Sequence, residues 1–132
     1  MELGADAAAF LGSHQLAVLS TGRGDGSPQS SLIGYLWDGE DVLVTFRRDS
    51  AKYRNVRRQP RVVMVVPEGR TAVTVYGDGE LVEDDPARVD AYAAIIAGFG
   101  APEAPRDEMV RRLDDEDRTV LRIHPTTVFL NV

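Results

Sequence analysis

Short strand-like runs separated by tight turns recur along most of this chain. Strands are predicted at 16–21, 29–37, 41–46, 61–66 and 71–82, and two closing strands at 119–123 and 126–130 on either side of Pro125. The connections are rich in turn residues, and the Asp38-Gly39 pair suits a tight antiparallel hairpin because both residues tolerate positive φ. Only a few short helices interrupt this pattern. It therefore predicts a mainly β fold, a barrel rather than a parallel sheet.

Four short helical segments are predicted between the strands. The first covers 6–11 with Asp6 as its cap, and the second covers 51–58 after a cap at Asp49 or Ser50. A third begins at Pro86 and runs to about residue 97, and 106–113 forms one or two further turns. There is no internal repeat and no linker, and 132 residues is the size of one ordinary domain. We expect residues 1–132 to form a single domain.

Composition excludes several classes of chemistry. The chain has no cysteine, so disulfides, thiolate metal sites and thiol catalysis are excluded, and any redox chemistry requires a cofactor. The first ten residues do not resemble a secretion signal, and the longest apolar stretch, 91–99, is less than half of the roughly 20 residues that span a bilayer. A net charge of −6 argues against general nucleic-acid binding. We expect a cytoplasmic protein without a membrane or nucleic-acid partner.

Positive charge is concentrated in one segment, Arg47 to Arg61. It holds seven basic residues and a single acidic residue, a net charge of +6, which leaves −12 for the rest of the chain. Within it, a strand end at Phe46 is followed by Ser50 at a helix start and by Lys52, the only lysine. Free backbone N–H groups, a hydroxyl and cationic side chains at a helix start suit a phosphate. An exposed basic helix without a ligand explains the same residues equally well.

Other motifs point less clearly to function. The glycine-rich stretch from Gly22 to Gly26 leads into a strand rather than a helix, so it is interpreted as a hairpin loop and not as a dinucleotide-binding loop. The acidic run 114–117 lacks the spacing of a calcium loop and is interpreted as a solvated turn. His14 and His124 have no neighbouring zinc-ligand pattern and are expected to be structural.

The order of these motifs resembles the pyridoxamine 5'-phosphate oxidase-like family of FMN-binding split β-barrels, and within it the small deazaflavin-dependent reductases. The similarity covers most of 16–82 and, more loosely, the closing strands. It is carried by Leu-Ala-Val-Leu-Ser-Thr at 16–21, Gly-Ser-Pro-Gln-Ser-Ser at 26–31, Val-Thr-Phe at 44–46 and the run from Ser50 to Val62. The resemblance implies a split β-barrel that forms a homodimer with two cofactor sites at its interface.

The resemblance also implies roles for individual residues. The segment around Gly26 to Ser31 would lie along the flavin or deazaflavin ring, and the segment around Thr45 to Lys52 would hold the phosphate. The implied cofactor-binding residues are Gln29, Ser30, Ser31, Thr45, Arg47, Ser50 and Lys52, with Asn55 and Arg58 as neighbours. The implied activity is hydride transfer between the cofactor and a small unsaturated or quinone-like organic substrate, with Tyr35, Tyr76, a serine or water as the proton donor.

Two cofactors remain open at this point. The deazaflavin coenzyme F-420 carries a polyanionic tail, which the additional arginines 48, 54, 57 and 58 would suit by Coulombic attraction. FMN is the alternative cofactor. Two alternatives to an enzyme also remain: a non-catalytic flavin or deazaflavin carrier or sensor, and an interaction domain with a basic helix. The chain lacks the arginine-bearing C-terminal substrate motifs of true pyridoxamine phosphate oxidases, and the segment from Pro86 to Pro105 matches nothing in the family pattern.

Overall fold

The computed structural model describes residues 3–131. Within this range, seven strands and four helices follow one another. They are α1 (Ala5–Gly12), β1 (Leu16–Gly22), β2 (Pro28–Gly34), β3 (Leu36–Trp37), β4 (Val42–Arg47), α2 (Ala51–Arg58), β5 (Arg61–Glu68), β6 (Thr71–Val82), α3 (Ala87–Gly98), α4 (Arg106–Asp115) and β7 (Arg118–Asn131).

The strands form one antiparallel sheet that curls on itself. Their order is β2-β1-β5-β6-β7-β4-β3, so β2 lies at one edge and the short β3 at the other. The curl brings β2 close to β4, although no backbone ladder joins these two strands. The gap between them is called the seam below. The fold is a mainly β split barrel, and this part of the sequence-based prediction is confirmed.

Alternation along the strands fills the barrel with apolar side chains. In β1, for example, Ala17, Leu19 and Thr21 are buried while their neighbours are more exposed. Ala17 and Leu19 pack with residues such as Met64, Val75 and Leu121 in the central core, which also contains Val56 of α2. The buried core therefore holds β1 and α2 in fixed positions relative to each other.

A second apolar cluster lies outside the barrel. Helices α3 and α4 place Tyr92, Ile95 and Leu113 against Leu43 of β4 and Val120 of β7. Segment 86–105, which the family pattern did not explain, thus begins as a helix that covers two strands. No helix within 3–131 is long and apolar enough to cross a bilayer.

The prediction of two closing strands divided by Pro125 is wrong. β7 runs without a break, and Pro125 pairs with Gly77 of β6 at a register shift that leaves Thr126 as an additional residue. A bulge of this kind accommodates proline, which cannot donate to the ladder. The backbones approach closely there, because a Cβ on Gly77 would lie 2.7 Å from the carbonyl oxygen of His124.

Two smaller predictions also differ from the structure. The run 29–37 divides into β2 and β3 at Tyr35, whose side chain is fully buried. Helix α1 has Gly4 rather than Asp6 at its N-cap, and Asp6 lies in the first turn, where a carboxylate also interacts favourably with the helix dipole.

Candidate functional site

The N-terminus of α2 lies beside the seam and offers free backbone donors. Ser50 caps the helix: its Oγ accepts a hydrogen bond from the Tyr53 backbone N–H at 3.3 Å and donates one to the Arg47 carbonyl oxygen at 2.7 Å. The N–H groups of Ala51 and Lys52 have no acceptor within 3–131. Because the Ser50 hydroxyl is engaged in capping, these N–H groups and nearby cations are the donors left for an anion.

A cleft of about 340 Å³ opens at this point of the seam. One wall is the end of β2, and the other is the end of β4 with the start of α2. Its lining residues are Leu32, Ile33, Gly34, Thr45, Phe46, Arg47, Asp49, Ser50, Lys52 and Arg118. Three of these are cationic and one is acidic, so the cleft has the charge expected of an anion-binding site.

Arg118 is a cleft residue that the sequence interpretation missed. It begins β7 and pairs with Arg47 in the β4–β7 ladder, which places two guanidinium groups at the same end of the sheet. Its partner within the structure is Glu116, at an Nε to Oε1 distance of 3.6 Å. Arg118 is distant in sequence from the basic segment, so only the pairing of β4 with β7 could have indicated its position.

Arg47 is not a free cation in this arrangement. Its Nε and Nη2 atoms donate to the two carboxylate oxygens of Asp49, each at 3.1 Å. These hydrogen bonds are the main reason that the pKa of the Asp49 carboxyl is below its usual value. A phosphate in the cleft would therefore compete with Asp49 for Arg47.

Lys52, by contrast, makes no hydrogen bond or ion pair with any residue in 3–131. It lies in the first turn of α2, beside the free N–H groups and at the wall of the cleft. On the same wall of the cleft, Thr45 donates its hydroxyl hydrogen to the Thr119 carbonyl oxygen at 3.0 Å, so its Oγ1 is left to act as an acceptor. Lys52 is thus the cation best placed to receive an anion.

The residues that the resemblance assigns to the ring lie on two faces of β2. Gln29 and Ser31 share the inner face with buried Ile33, and Ser30 lies on the outer face, where its Oγ is 2.8 Å from that of Ser20. The Ser31 Oγ is inaccessible to solvent and has no hydrogen-bond partner among the described residues. An unpaired buried hydroxyl costs about 1–3 kcal/mol, so a polar ligand atom there would be favourable.

Asn55 and Arg58 link α2 to the β1–β2 hairpin rather than lining the cleft. Asn55 is only 6% exposed, and its Nδ2 donates to Thr21 Oγ1 and Gln29 Oε1, both at 3.1 Å. Arg58 donates to Asn55 Oδ1 at 3.1 Å and to the Gly22 carbonyl oxygen at 2.8 Å. This network fixes α2 relative to β2, the strand that carries Gln29 and Ser31.

A larger groove of about 730 Å³ lies on the outer face of the sheet. Two aromatic residues border it: Tyr76 and Phe129 are 43% and 53% exposed, and their rings meet edge to face at 6.1 Å between centroids. Leu32, at 71% exposure, lies on the same face of the sheet. The outer face therefore exposes three large apolar side chains, two of which contact each other.

Tyr35 cannot serve as a proton donor to a substrate. It is fully buried and its hydroxyl donates to the Leu11 carbonyl oxygen at 2.7 Å. Burial raises the pKa of this phenol above its ordinary value. Of the two tyrosines considered from the sequence, only Tyr76 borders a cleft.

The remaining sequence motifs have structural roles. Gly26 has φ of +88° in the β1–β2 turn, as expected for a hairpin loop. His14 stacks on Phe10, and His124 lies between Asp41 and Glu80, with 3.1 Å from a ring nitrogen to each carboxylate. Within 3–131 no group of three or more histidine, aspartate or glutamate side chains is arranged to hold a metal ion.

Comparison with known proteins agrees with this architecture. The family model described as pyridoxamine 5'-phosphate oxidase matches residues 3–131. A conserved hypothetical protein from Mycobacterium tuberculosis is 25% identical with a TM-score of 0.82, over 98% of this chain and 84% of that one. An F-420 reductase is 26% identical with a TM-score of 0.74, over 98% of both chains.

The same fold also occurs in a heme binding protein from Mycobacterium smegmatis. That protein is 20% identical, with a TM-score of 0.72, over 99% of this chain and 55% of that one. At this identity the similarity concerns the fold alone. Because the family model spans the seam, the basic cleft and the closing strand, this chain belongs to the pyridoxamine 5'-phosphate oxidase family, whose fold binds flavins such as FMN and which includes oxidoreductases.

Proposed function

We propose that this protein is an oxidoreductase that binds the deazaflavin coenzyme F-420 and transfers a hydride between it and a small unsaturated or quinone-like organic molecule. The observation that carries the proposal is the cationic cleft at the seam, where Lys52 and the free N–H groups of α2 meet the edge strand β2. The similarity to an F-420 reductase over 98% of both chains supports this choice of cofactor.

The residues present fit a phosphate-bearing ring cofactor. Lys52, Arg118 and the N–H groups of Ala51 and Lys52 would bind the phosphate, with Arg47 joining if it leaves Asp49. The orphaned Ser31 hydroxyl lies on β2, the strand along which the ring would lie, next to the cleft residue Leu32. The donors are on one wall and the edge strand is on the other, so the seam can hold both ends of such a molecule.

When bound, the deazaflavin would supply the carbon that accepts or donates the hydride. The protein would bind the phosphate, orient the ring against β2 and keep water away from it. Tyr76 borders the outer groove, on the opposite face of the sheet from Gln29 and Ser31, so it would deliver a proton only to a substrate that binds in that groove. The groove volume of about 730 Å³ suits a small organic molecule.

We further propose that a second copy of the chain covers the outer face, as the family resemblance implies. The exposed Leu32, Tyr76 and Phe129 support this, because a partner subunit would remove their apolar surfaces from water. In such a homodimer the outer groove of one subunit would be closed by the other. Sedimentation analysis should give twice the chain mass of 14.4 kDa, and Leu32→Lys should shift the protein to monomer.

The arginines that favour F-420 over FMN are not equally available. Arg48 pairs with Glu83 and Asp117, and Arg58 is held in the Asn55 network. Arg54 donates to the Asp49 carbonyl oxygen, while Arg57 is exposed and makes no hydrogen bond or ion pair within 3–131. Attraction of a polyanionic tail would therefore depend mainly on Arg54 and Arg57, and it should weaken with salt.

The test is a fluorescence titration of cofactor-free protein with F-420 and, separately, with FMN. We expect tighter binding of F-420 and a roughly ten- to hundred-fold loss in Lys52→Ala, because a charge-assisted hydrogen bond to the phosphate is removed. Arg70→Ala is the matched control: it removes one positive charge from an exposed turn that is not part of the cleft. Preferential binding of FMN would identify FMN as the cofactor. If the protein binds neither F-420 nor FMN, the proposal is contradicted.

Turnover separates an enzyme from a carrier or sensor. With F-420 in its reduced form, we expect a small quinone to be consumed at the same rate as the cofactor is oxidised. Tight F-420 binding without any such consumption would identify the protein as a carrier instead.

A further inference from the structure

The side-chain amide of Gln29 is held in one orientation by its neighbours. Its Oε1 accepts a hydrogen bond from Asn55 Nδ2 at 3.1 Å and another from Thr21 Oγ1 at 3.4 Å. An amide offers one acceptor and two donors, and here the acceptor end faces the protein. The Nε2 donors of Gln29 have no acceptor within 3–131.

Arg58 determines which amide atoms donate and which accept in these hydrogen bonds. A guanidinium group can only donate, so the atom of Asn55 that meets Arg58 Nη2 at 3.1 Å must be its oxygen. The nitrogen of Asn55 is then forced towards Gln29, and Gln29 in turn must present its oxygen. Arg58 thus fixes the orientation of the Asn55 amide, and Asn55 fixes the orientation of the Gln29 amide, whose Nε2 donors are left outside the network.

We propose that Asn55 is a positioning residue that turns the Gln29 amide so that its Nε2 donates to a hydrogen-bond acceptor of the bound cofactor, a ring carbonyl oxygen. This inference rests on the proposed function, because it assumes a flavin or deazaflavin ring along β2. Gln29 is partly exposed on the same strand face as Ser31, whose hydroxyl is shielded from solvent, so the Gln29 amide is the group that would meet the ring edge. Asn55 itself is buried and would not touch the ring.

Gln29→Glu tests the donor with little change to the network. The introduced carboxylate still accepts from Asn55 and Thr21, but it has no hydrogen to donate and repels a carbonyl oxygen. We expect at least a ten-fold loss of cofactor affinity, with unchanged affinity for inorganic phosphate and an altered visible absorption maximum of the saturated complex. Gln59→Glu is the matched control. Gln59 is exposed at the C-terminal end of α2, and its Oε1 also accepts a hydrogen bond, from the Arg61 N–H.

Asn55→Asp tests the positioning role. Its carboxylate still accepts from Arg58 but has no donor for Gln29, so the amide turns and presents Oε1 to the ring. We expect the same loss of affinity and the same type of spectral change as for Gln29→Glu. Wild-type affinity and spectrum in both folded variants would overturn the inference.

A measurement on the wild type covers the case in which the variants fail to fold. In the ¹H–¹⁵N NMR spectrum, cofactor binding should shift the side-chain amide signals of Gln29 strongly and those of Asn55 only slightly, because the donors of Asn55 are already paired. If wild-type protein binds F-420 without shifting the Gln29 signals, the positioning role is refuted while the proposed binding of F-420 stands. If it binds neither cofactor, both are refuted.

Discussion

Replacing Asn55 with alanine should destabilise the fold as well as the site. The change removes two donated hydrogen bonds, to Thr21 and Gln29, and one accepted from the cation Arg58. A neutral hydrogen bond contributes about 0.5–1.5 kcal/mol and one to a charged group about 1.5–3 kcal/mol. Arg58 keeps its bond to the Gly22 carbonyl oxygen, which limits the loss. We therefore expect the free energy of unfolding to fall by about 2–4 kcal/mol.

Urea denaturation followed by far-ultraviolet circular dichroism measures this change, with the slope of the transition checked for two-state behaviour. Arg57→Ala is the control on the same helix, because Arg57 is exposed and makes no hydrogen bond or ion pair within 3–131. It should alter the stability by no more than about 0.5 kcal/mol. If Asn55→Ala costs less than about 1 kcal/mol, the network does not hold α2 to the hairpin as we argue.

Three further predictions concern residues outside the cleft that stabilise the fold. Gly77→Ala should destabilise the protein by more than about 2 kcal/mol in urea denaturation, because the added Cβ would lie 2.7 Å from the carbonyl oxygen of His124. Desolvation lowers the pKa of His124, but the hydrogen bonds that it donates to the carboxylates of Glu80 and Asp41, and the attraction of their charges, outweigh it, so the folded-state pKa is raised above 6.5. The contribution of His124 to the free energy of unfolding should then be present below pH 6.5 and be lost as the pH rises through the folded-state pKa. Compared with His124→Gln, this contribution should be less than about 1 kcal/mol, because the side chain is half exposed. Tyr35→Phe should cost about 1–3 kcal/mol in thermal denaturation, because it leaves a buried carbonyl oxygen without its donor.

The sequence predicted most of the local structure because the signals are local. Ser50 caps α2 as one of the two predicted residues, and α2 covers the predicted range 51–58. β6 also has the predicted bounds, Thr71–Val82. The prediction failed at Pro125, where the outcome depends on the partner strand: Gly77 permits a bulge that a single sequence does not reveal.

The site was harder to predict because it is assembled from distant segments. Arg118 reaches the cleft only through the pairing of β7 with β4. The sequence grouped Asn55 with possible ligand contacts, yet burial and hydrogen bonding place it behind Gln29. Residue types indicated phosphate chemistry, but which cations are free and which are already paired depends on the fold.

The most direct test of the central claim is the structure of the protein crystallised with F-420. Our account predicts the phosphate within hydrogen-bonding distance of Lys52 and the Ala51 N–H, and the ring along the Gln29 and Ser31 side of β2. A phosphate bound in the outer groove beside Tyr76, with Lys52 still free, would contradict it.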